Sequence, residues 1–364
     1  MKILLAPDKF KGSLDAFSLC KALSEGILIH YPQAEIITRP LADGGDGSLA
    51  ILGQYLDLQT IHLTVHDPLG RPIQASYLLS KEKAFIELAA ASGLALLAEN
   101  ERNCMDTSTY GTGQMIADAL SRGAYDMYLF VGGSATNDAA MGICDAVGVH
   151  FFDSFGERLV TTGRNLSRVA KLTAPDRIPF MLTIICDVDN PLHGPEGAAY
   201  VYAPQKGASP EEVEILDQGL RHFAETFLRY DGVNVSSIPG AGAAGGVAGG
   251  AMAILGGELR SGIEMFMEMA DLDEAIAQCD WVITGEGRLD GQTERGKVVS
   301  GVCQLAHQHQ KPVIAICGDV EAGAAEALGL EQVHTVLSQA DSLEDAMSRT
   351  AEIVREIAAK LELS

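Results

Sequence analysis

Short apolar runs closed by glycine or proline recur along this chain, and apolar residues at helical spacing fill the stretches between them. Residues 3–7 (ILLAP) predict a buried strand. Ser13 then stands where it can cap a helix over about 14–30, with Leu14, Phe17, Leu23 and Ile27 on one face. Residues 35–42 (EIITRPLA) predict a second strand. The C-terminal third repeats the pattern, with strands at 281–284, 312–317 and 333–338 and a helix near 297–309. A last helix opens at Ser342 and Asp345, as in a capping box, and carries Met347, Thr350, Ile353, Val354, Ile357 and Leu361 as its apolar face.

The middle of the chain reads differently. Residues 73–79 alternate strictly, with Ile73, Ala75, Tyr77 and Leu79 on one face, and 84–89 follow a short charged turn, which predicts a hairpin. Helix 107–122, strand 126–131, helix 138–147 and strand 180–186 come next. The expected fold class is therefore α/β: a Rossmann- or flavodoxin-like parallel-sheet domain over 1–65 plus 275–364, with a mixed α/β domain, 66–274, inserted into it. The cleft of such a two-lobed protein is the expected place for the active site.

Composition narrows the partners. The chain has 364 residues, enough for two domains, and 47% hydrophobic residues, enough for a sizeable core. Its net charge of −23 argues against nucleic acid and anionic membranes, yet leaves room for a nucleotide at a locally cationic or magnesium-bearing site. Seven scattered cysteines with no C-x-x-C suggest reduced thiols in a cytoplasmic protein. The N-terminus turns polar too soon for a signal peptide, and no apolar run of transmembrane length is present. A monomer or homodimer is expected.

The candidate chemistry sits where predicted strands end. Pro7-Asp8-Lys9-Phe10-Lys11-Gly12-Ser13 brings two lysines and a hydroxyl to a helix start, which suits an anion or else forms a solvated turn. Asp43-Gly44-Gly45-Asp46 can serve magnesium or a substrate hydroxyl, or be a tight Asx turn. Gly132-Gly133-Ser134-Ala135-Thr136-Asn137-Asp138 can present N–H and hydroxyl donors to phosphate, and Gly111-Thr112-Gly113 lies upstream. Asp187 and Asp189 end the 180–186 strand, and a carboxylate there can take a proton from a hydroxyl or hold a metal; Lys206 lies nearby in sequence.

Two glycine motifs invite familiar readings that their contexts reject. Gly240, Gly242 and Gly245 spell G-x-G-x-x-G, but a short polar run and Pro239 precede them, so a glycine wall against phosphate or adenine, or close helix packing, is the better reading. Gly291 to Lys297 nearly spells a Walker A loop, but Val298 replaces the Ser or Thr that would ligate Mg²⁺. Lys297 can still meet a phosphate, and Glu286 and Asp290 can serve metal or substrate. Lysines, glycine loops and strand-end carboxylates are the parts phosphoryl transfer needs. By themselves they specify a nucleotide-dependent transferase acting on a small molecule.

In order along nearly the whole chain, APDKFKGSLDA, ADGGDG, GTG, GGSATNDAAMG, CDVDNPL, APQKGA, PGAGAAGG, SGIE, TGEGRLDGQT and PVIAICG resemble the bacterial glycerate kinase family of type I, the glycerate 2-kinases. The resemblance implies Mg²⁺-dependent transfer of the ATP γ-phosphoryl group to D-glycerate, most often at the 2-hydroxyl. A glycerate 3-kinase, a kinase of a related hydroxy acid and a nucleotide-binding sensor without chemistry are the alternatives. Carried onto this chain, the catalytic candidates are Asp187, Lys9, Glu286 and Asp290. Lys11, Ser13, Asp43, Asp46, Asp189 and Lys206 are assigned to substrate. Gly132, Gly133, Ser134, Thr136 and Asn137, with Gly242, Gly245 and Lys297, are assigned to nucleotide phosphates, and Asp138, Asp187 and Glu286 to metal.

Overall fold

The computed structural model describes residues 1–44, 48–231, 234–289 and 298–363. The chain divides into two compact units, one of residues 1–55 and 261–364 and one of residues 56–260, so the second is inserted in sequence into the first. The units part after Tyr55 and after Arg260, where the sequence pattern put crossings near 65 and 275.

The first unit is built on five parallel strands in the order Gln332–Thr335, Val313–Cys317, Trp281–Thr284, Lys2–Leu5, Glu35–Thr38. Side chains alternate across a strand, so both faces of the central strands must be covered. Ile3, Leu5, Ile283, Ile314 and Ile316 share one apolar cluster with Leu19, Leu23 and Ile27 of helix Ala16–His30 and with Ile353, Val354 and Ile357 of helix Thr350–Ala358. Gly26 lets those helices close: a Cβ there would stand 2.3 Å from the Arg355 carbonyl oxygen and 2.6 Å from Ala358 Cβ. Helix Ala16–His30 is capped by Asp15, whose carboxylate accepts from Ser18 N at 2.9 Å, and not by Ser13. The strand expected over 35–42 stops at Thr38, ahead of Pro40, and that expected over 333–338 stops at Thr335.

The second unit carries a six-stranded mixed sheet, Glu258–Arg260, Met181–Ile185, Asp126–Phe130, Lys83–Glu87, Pro72–Ser80, Gln59–His66. The first four strands run parallel, and the other two form an antiparallel edge. The predicted hairpin is present, with Leu78 opposite Phe85, and Ala75 and Tyr77 of its alternating face are buried. Strand Gln59–His66 was not read from the sequence, although Ile61, Leu63 and Val65 alternate there with His62, Thr64 and His66. Nor were helices Pro210–Asp231 and Ala243–Leu255 read, the latter because glycine dominates it. Three left-handed residues, Ala244, Gly245 and Gly246, kink its start. The fold is thus α/β, with one parallel and one mixed sheet.

Candidate active site

In the first unit, the loops that leave three adjacent strands are tied to one another. Asp8 N donates to the Gly285 carbonyl at 2.9 Å, and Thr284 Oγ1 donates to the Ala6 carbonyl at 2.9 Å. Gly318 N donates to the Glu286 carbonyl at 3.1 Å, and the space a Gly318 Cβ would need holds the Gly287 carbonyl oxygen, 2.3 Å away. Lys9 is half-buried and Lys11 exposed, on a loop pinched by paired Phe10 and Leu14 backbone bonds and turned by Gly12 at φ +81°. Ser13 Oγ donates to the Phe10 carbonyl at 3.3 Å and so fastens this loop. Glu286 is buried, and Asp43 is half-buried beyond strand Glu35–Thr38. The sequence candidates Lys9, Lys11, Ser13 and Glu286 thus lie on linked loops at the C-terminal edge of one sheet. Asp46, Asp290 and Lys297 fall outside the described residues.

In the second unit, the loop after strand Asp126–Phe130 meets the loop after Lys83–Glu87. Leu94 N donates to Gly133 O and Ala135 N to Ser92 O, both at 2.9 Å. Gly132 and Gly133 are exposed; from Ser134 on, the loop turns inward and is buried. Lys206 reaches it from beneath: its Nζ donates to Ser134 Oγ at 2.7 Å and to the Thr136 carbonyl at 2.8 Å. Only 3% of Lys206 is exposed, and no carboxylate lies within ion-pair distance of it among the described residues. Burial therefore lowers its pKa from the ordinary value to about 8. Thr136 Oγ1 and both polar atoms of Asn137, all buried, lack a protein partner.

Asp138 is fully buried, and Oδ2 accepts from Thr109 N and Thr109 Oγ1 at 2.8 Å and from Gly142 N at 3.2 Å. Burial raises its pKa to about 6. Through Oδ2 the carboxylate braces the loop against helix Tyr110–Ser121, while Oδ1, also buried, lacks a protein partner. Sequence reasoning missed Thr109 as the other half of that brace. The only signal was its place ahead of Gly111-Thr112-Gly113, whose glycines are packing positions: a Cβ at Gly111 would meet the His66 carbonyl at 1.8 Å.

The glycines of the G-x-G-x-x-G segment are likewise filled by protein. A Cβ at Gly242 would stand 2.2 Å from Pro191 O, and one at Gly245 would stand 2.1 Å from Thr136 O. Gly245 thus packs under the Ser134–Asp138 loop, and its carbonyl accepts from Ala139 N at 3.2 Å. Asp187 and Asp189 are exposed at the end of strand Met181–Ile185, next to the segment that Gly242 N holds through the Asn190 carbonyl at 2.9 Å. Asp187, exposed, and Glu286, buried, are the other carboxylates that the sequence assigns to magnesium. Among the described residues no three acidic, histidine or cysteine side chains cluster as a ready-made metal cage, and Mg²⁺ on a nucleotide needs only one or two protein carboxylates. No helix among the described residues is long and apolar enough to cross a membrane.

Known proteins resemble this chain over nearly its full length. The sequence model of the Glycerate kinase family matches residues 3–363. The glycerate 2-kinase of Escherichia coli K12 is 39% identical over 354 residues, covering 95% of this chain and 93% of that protein. The glycerate kinase of Halalkalibacterium halodurans is 40% identical over 364 residues, covering 98% and 96%. A crystal structure named as glycerate kinase 2 of Salmonella typhimurium LT2 superposes with a TM-score of 0.86 at 38% identity, over 99% of this chain and 96% of that one. With the fold, the strand-end loops and the full-length similarity in agreement, the chain belongs to the glycerate kinase family, and it is a phosphotransferase.

Proposed function

We propose that this enzyme transfers the γ-phosphoryl group of ATP to the 2-hydroxyl of D-glycerate, giving 2-phosphoglycerate and ADP. The observation that carries the reading is Lys206: a buried ammonium group held by two neutral oxygens under a loop of hydroxyl and amide donors. Burying a charge with no carboxylate in contact is costly even with Asp138 attracting it from farther off, and an anionic ligand repays that cost. Ser134 accepts from Lys206, so its own proton points elsewhere, and with the unpartnered Thr136 and Asn137 groups it offers donors to phosphoryl oxygens.

In this reading Asp187, exposed at a strand end, accepts the proton of the 2-hydroxyl as its oxygen attacks the γ-phosphorus, while the bond to the bridging oxygen breaks and ADP leaves with that electron pair. Lys9 and Lys11 bind the anionic oxygens of the transferring group and of glycerate, which also engages Ser13, Asp43 and Asp189. Magnesium, held through Glu286, would neutralise charge on the phosphates when bound. A coupled assay of ADP formation with D-glycerate tests the activity, and phosphorus NMR of the product separates the 2-phosphate from the 3-phosphate. No ADP formed with D-glycerate rejects the reading; the 3-phosphate rejects its regiochemistry.

A further inference from the structure

The first unit contains a cavity that Lys11 and Ser13 border and whose apolar walls none of the roles above uses. Its sheet has a topological switch point: from Lys2–Leu5 the chain passes to Glu35–Thr38 on one side, whereas the strands on the other side, from Trp281–Thr284, progress outward in the opposite direction. In open parallel sheets the crevice outside the strand ends at such a point is where ligands bind. Here it holds a cavity of about 340 Å³, large enough for a drug-sized ligand and far larger than a three-carbon acid needs.

The walls indicate what fits. Phe10, Val336 and Ala346, all buried, form the floor, and Met347 overhangs it with its methyl group 3.4 Å from where a Gly12 Cβ would stand. The hydroxyls that line the cavity are spent internally, Thr350 Oγ1 on the Ala346 carbonyl at 2.7 Å and Ser13 Oγ on the Phe10 carbonyl. The effective wall is therefore apolar, unsuited to a small hydroxylated acid and suited to a flat heterocycle. Lys11 and Arg288 also line this mostly apolar cavity, with one carboxylate, Asp319, whose Oδ1 accepts from Val320 N at 2.9 Å, in a chain whose net charge is −23. An apolar slot edged by two cations and one carboxylate, two positive charges against one negative, matches a nucleoside with phosphates attached.

We propose that this cavity binds the purine nucleoside of the phosphoryl donor, its phosphates running out over Lys11 and Arg288. The inference rests on the ATP reading above and moves the base away from the Gly240–Gly250 segment, where backbone already occupies the glycine positions.

Two measurements on the full-length protein test it. Photolabelling with 2-azido-ATP followed by peptide mapping should mark residues 10–13 or 336–350; label confined to 132–137 or 240–250 overturns the proposal. Met347→Glu and Leu343→Glu alter residues that are 43% and 67% exposed, so the fold should survive both. Each should weaken mant-ADP binding, measured by fluorescence titration, by about tenfold through lost apolar contact and added negative charge. The KM for D-glycerate should stay unchanged. Wild-type mant-ADP affinity in two variants with wild-type melting curves overturns the proposal and leaves the kinase reading intact. Conversely, weakened binding in the variants of a chain that forms no ADP with D-glycerate supports the cavity and removes the proposed reaction.

Discussion

At the scale of single residues, the proposed chemistry rests on two side chains with opposite surroundings. Asp187 is exposed, and if it takes the hydroxyl proton, Asp187→Asn should lower kcat by about 10²-fold or more while the melting temperature stays put. Steady-state kinetics beside a thermal melt checks this; near-normal turnover would remove Asp187 from that role. Lys206 is sealed, and its pKa near 8 gives it a pH signature. The ammonium form persists below about 8 and is lost above, so kcat/KM should decline as pH rises through that value. The linkage to stability has the other sign. Between about 8 and the ordinary lysine value of 10.5, the unfolded chain holds more protons than the folded one, so this residue makes the folded state relatively more stable as pH rises. Lys206→Met should reduce kcat/KM by about 10²-fold and flatten the alkaline limb, read from a pH–rate profile. A full alkaline limb in that variant would assign the limb to another group.

At the scale of elements, glycines decide how closely helices and loops approach. Gly26 lies inside helix Ala16–His30, where alanine has the better helix propensity by about 1 kcal/mol. Packing outweighs it: with Arg355 O only 2.3 Å from the added methyl, Gly26→Ala should destabilise the protein by about 1–3 kcal/mol. Chemical denaturation with an unchanged m-value would verify this, and a stabilised variant would contradict the helix contact. This is also the scale at which the sequence was most and least legible. The strands at 281–284 and 312–317 and the hairpin around Leu78 and Phe85 are contiguous apolar or strictly alternating runs, so local pattern suffices to find them. Helix Ala243–Leu255 has no such pattern, because its glycines serve contacts with Thr136, Ala139 and Leu192 that lie far away in sequence. For the same reason the sequence offered Lys206 as a substrate lysine without showing that it is buried. Its burial follows from Ser134 and Thr136, some seventy residues earlier. That the loops bearing Lys9, Ser134 and Asp187 leave the ends of strands was legible, because it needs only the strands to be found.

At the scale of the whole molecule, charge and thiols give simple readouts. With a net charge of −23, mutual repulsion should lower the melting temperature in dilute buffer, and raising ionic strength from about 10 mM to about 150 mM should raise it by shortening the screening length. A melting temperature indifferent to salt would mean that the charges are already balanced locally. All seven cysteines are free, six of them buried. Cys186 is the one partly exposed thiol, and burial still raises its pKa to about 11, so it should react with a thiol reagent slowly in the native protein and ahead of the other six. Denaturation should release all seven.

The insertion of one unit into the other also sets a timetable. Strand Lys2–Leu5 has its partner Trp281–Thr284 almost 280 residues downstream, so the ribosome must emit the whole of residues 56–260 before that pairing can begin. At translation rates of about 5–20 residues per second, the nascent N-terminal segment waits on the order of ten seconds or more with Ile3, Leu4 and Leu5 uncovered on one side. The inserted unit, contiguous in sequence, can fold during that interval, and the first is completed only when the last third of the polypeptide emerges.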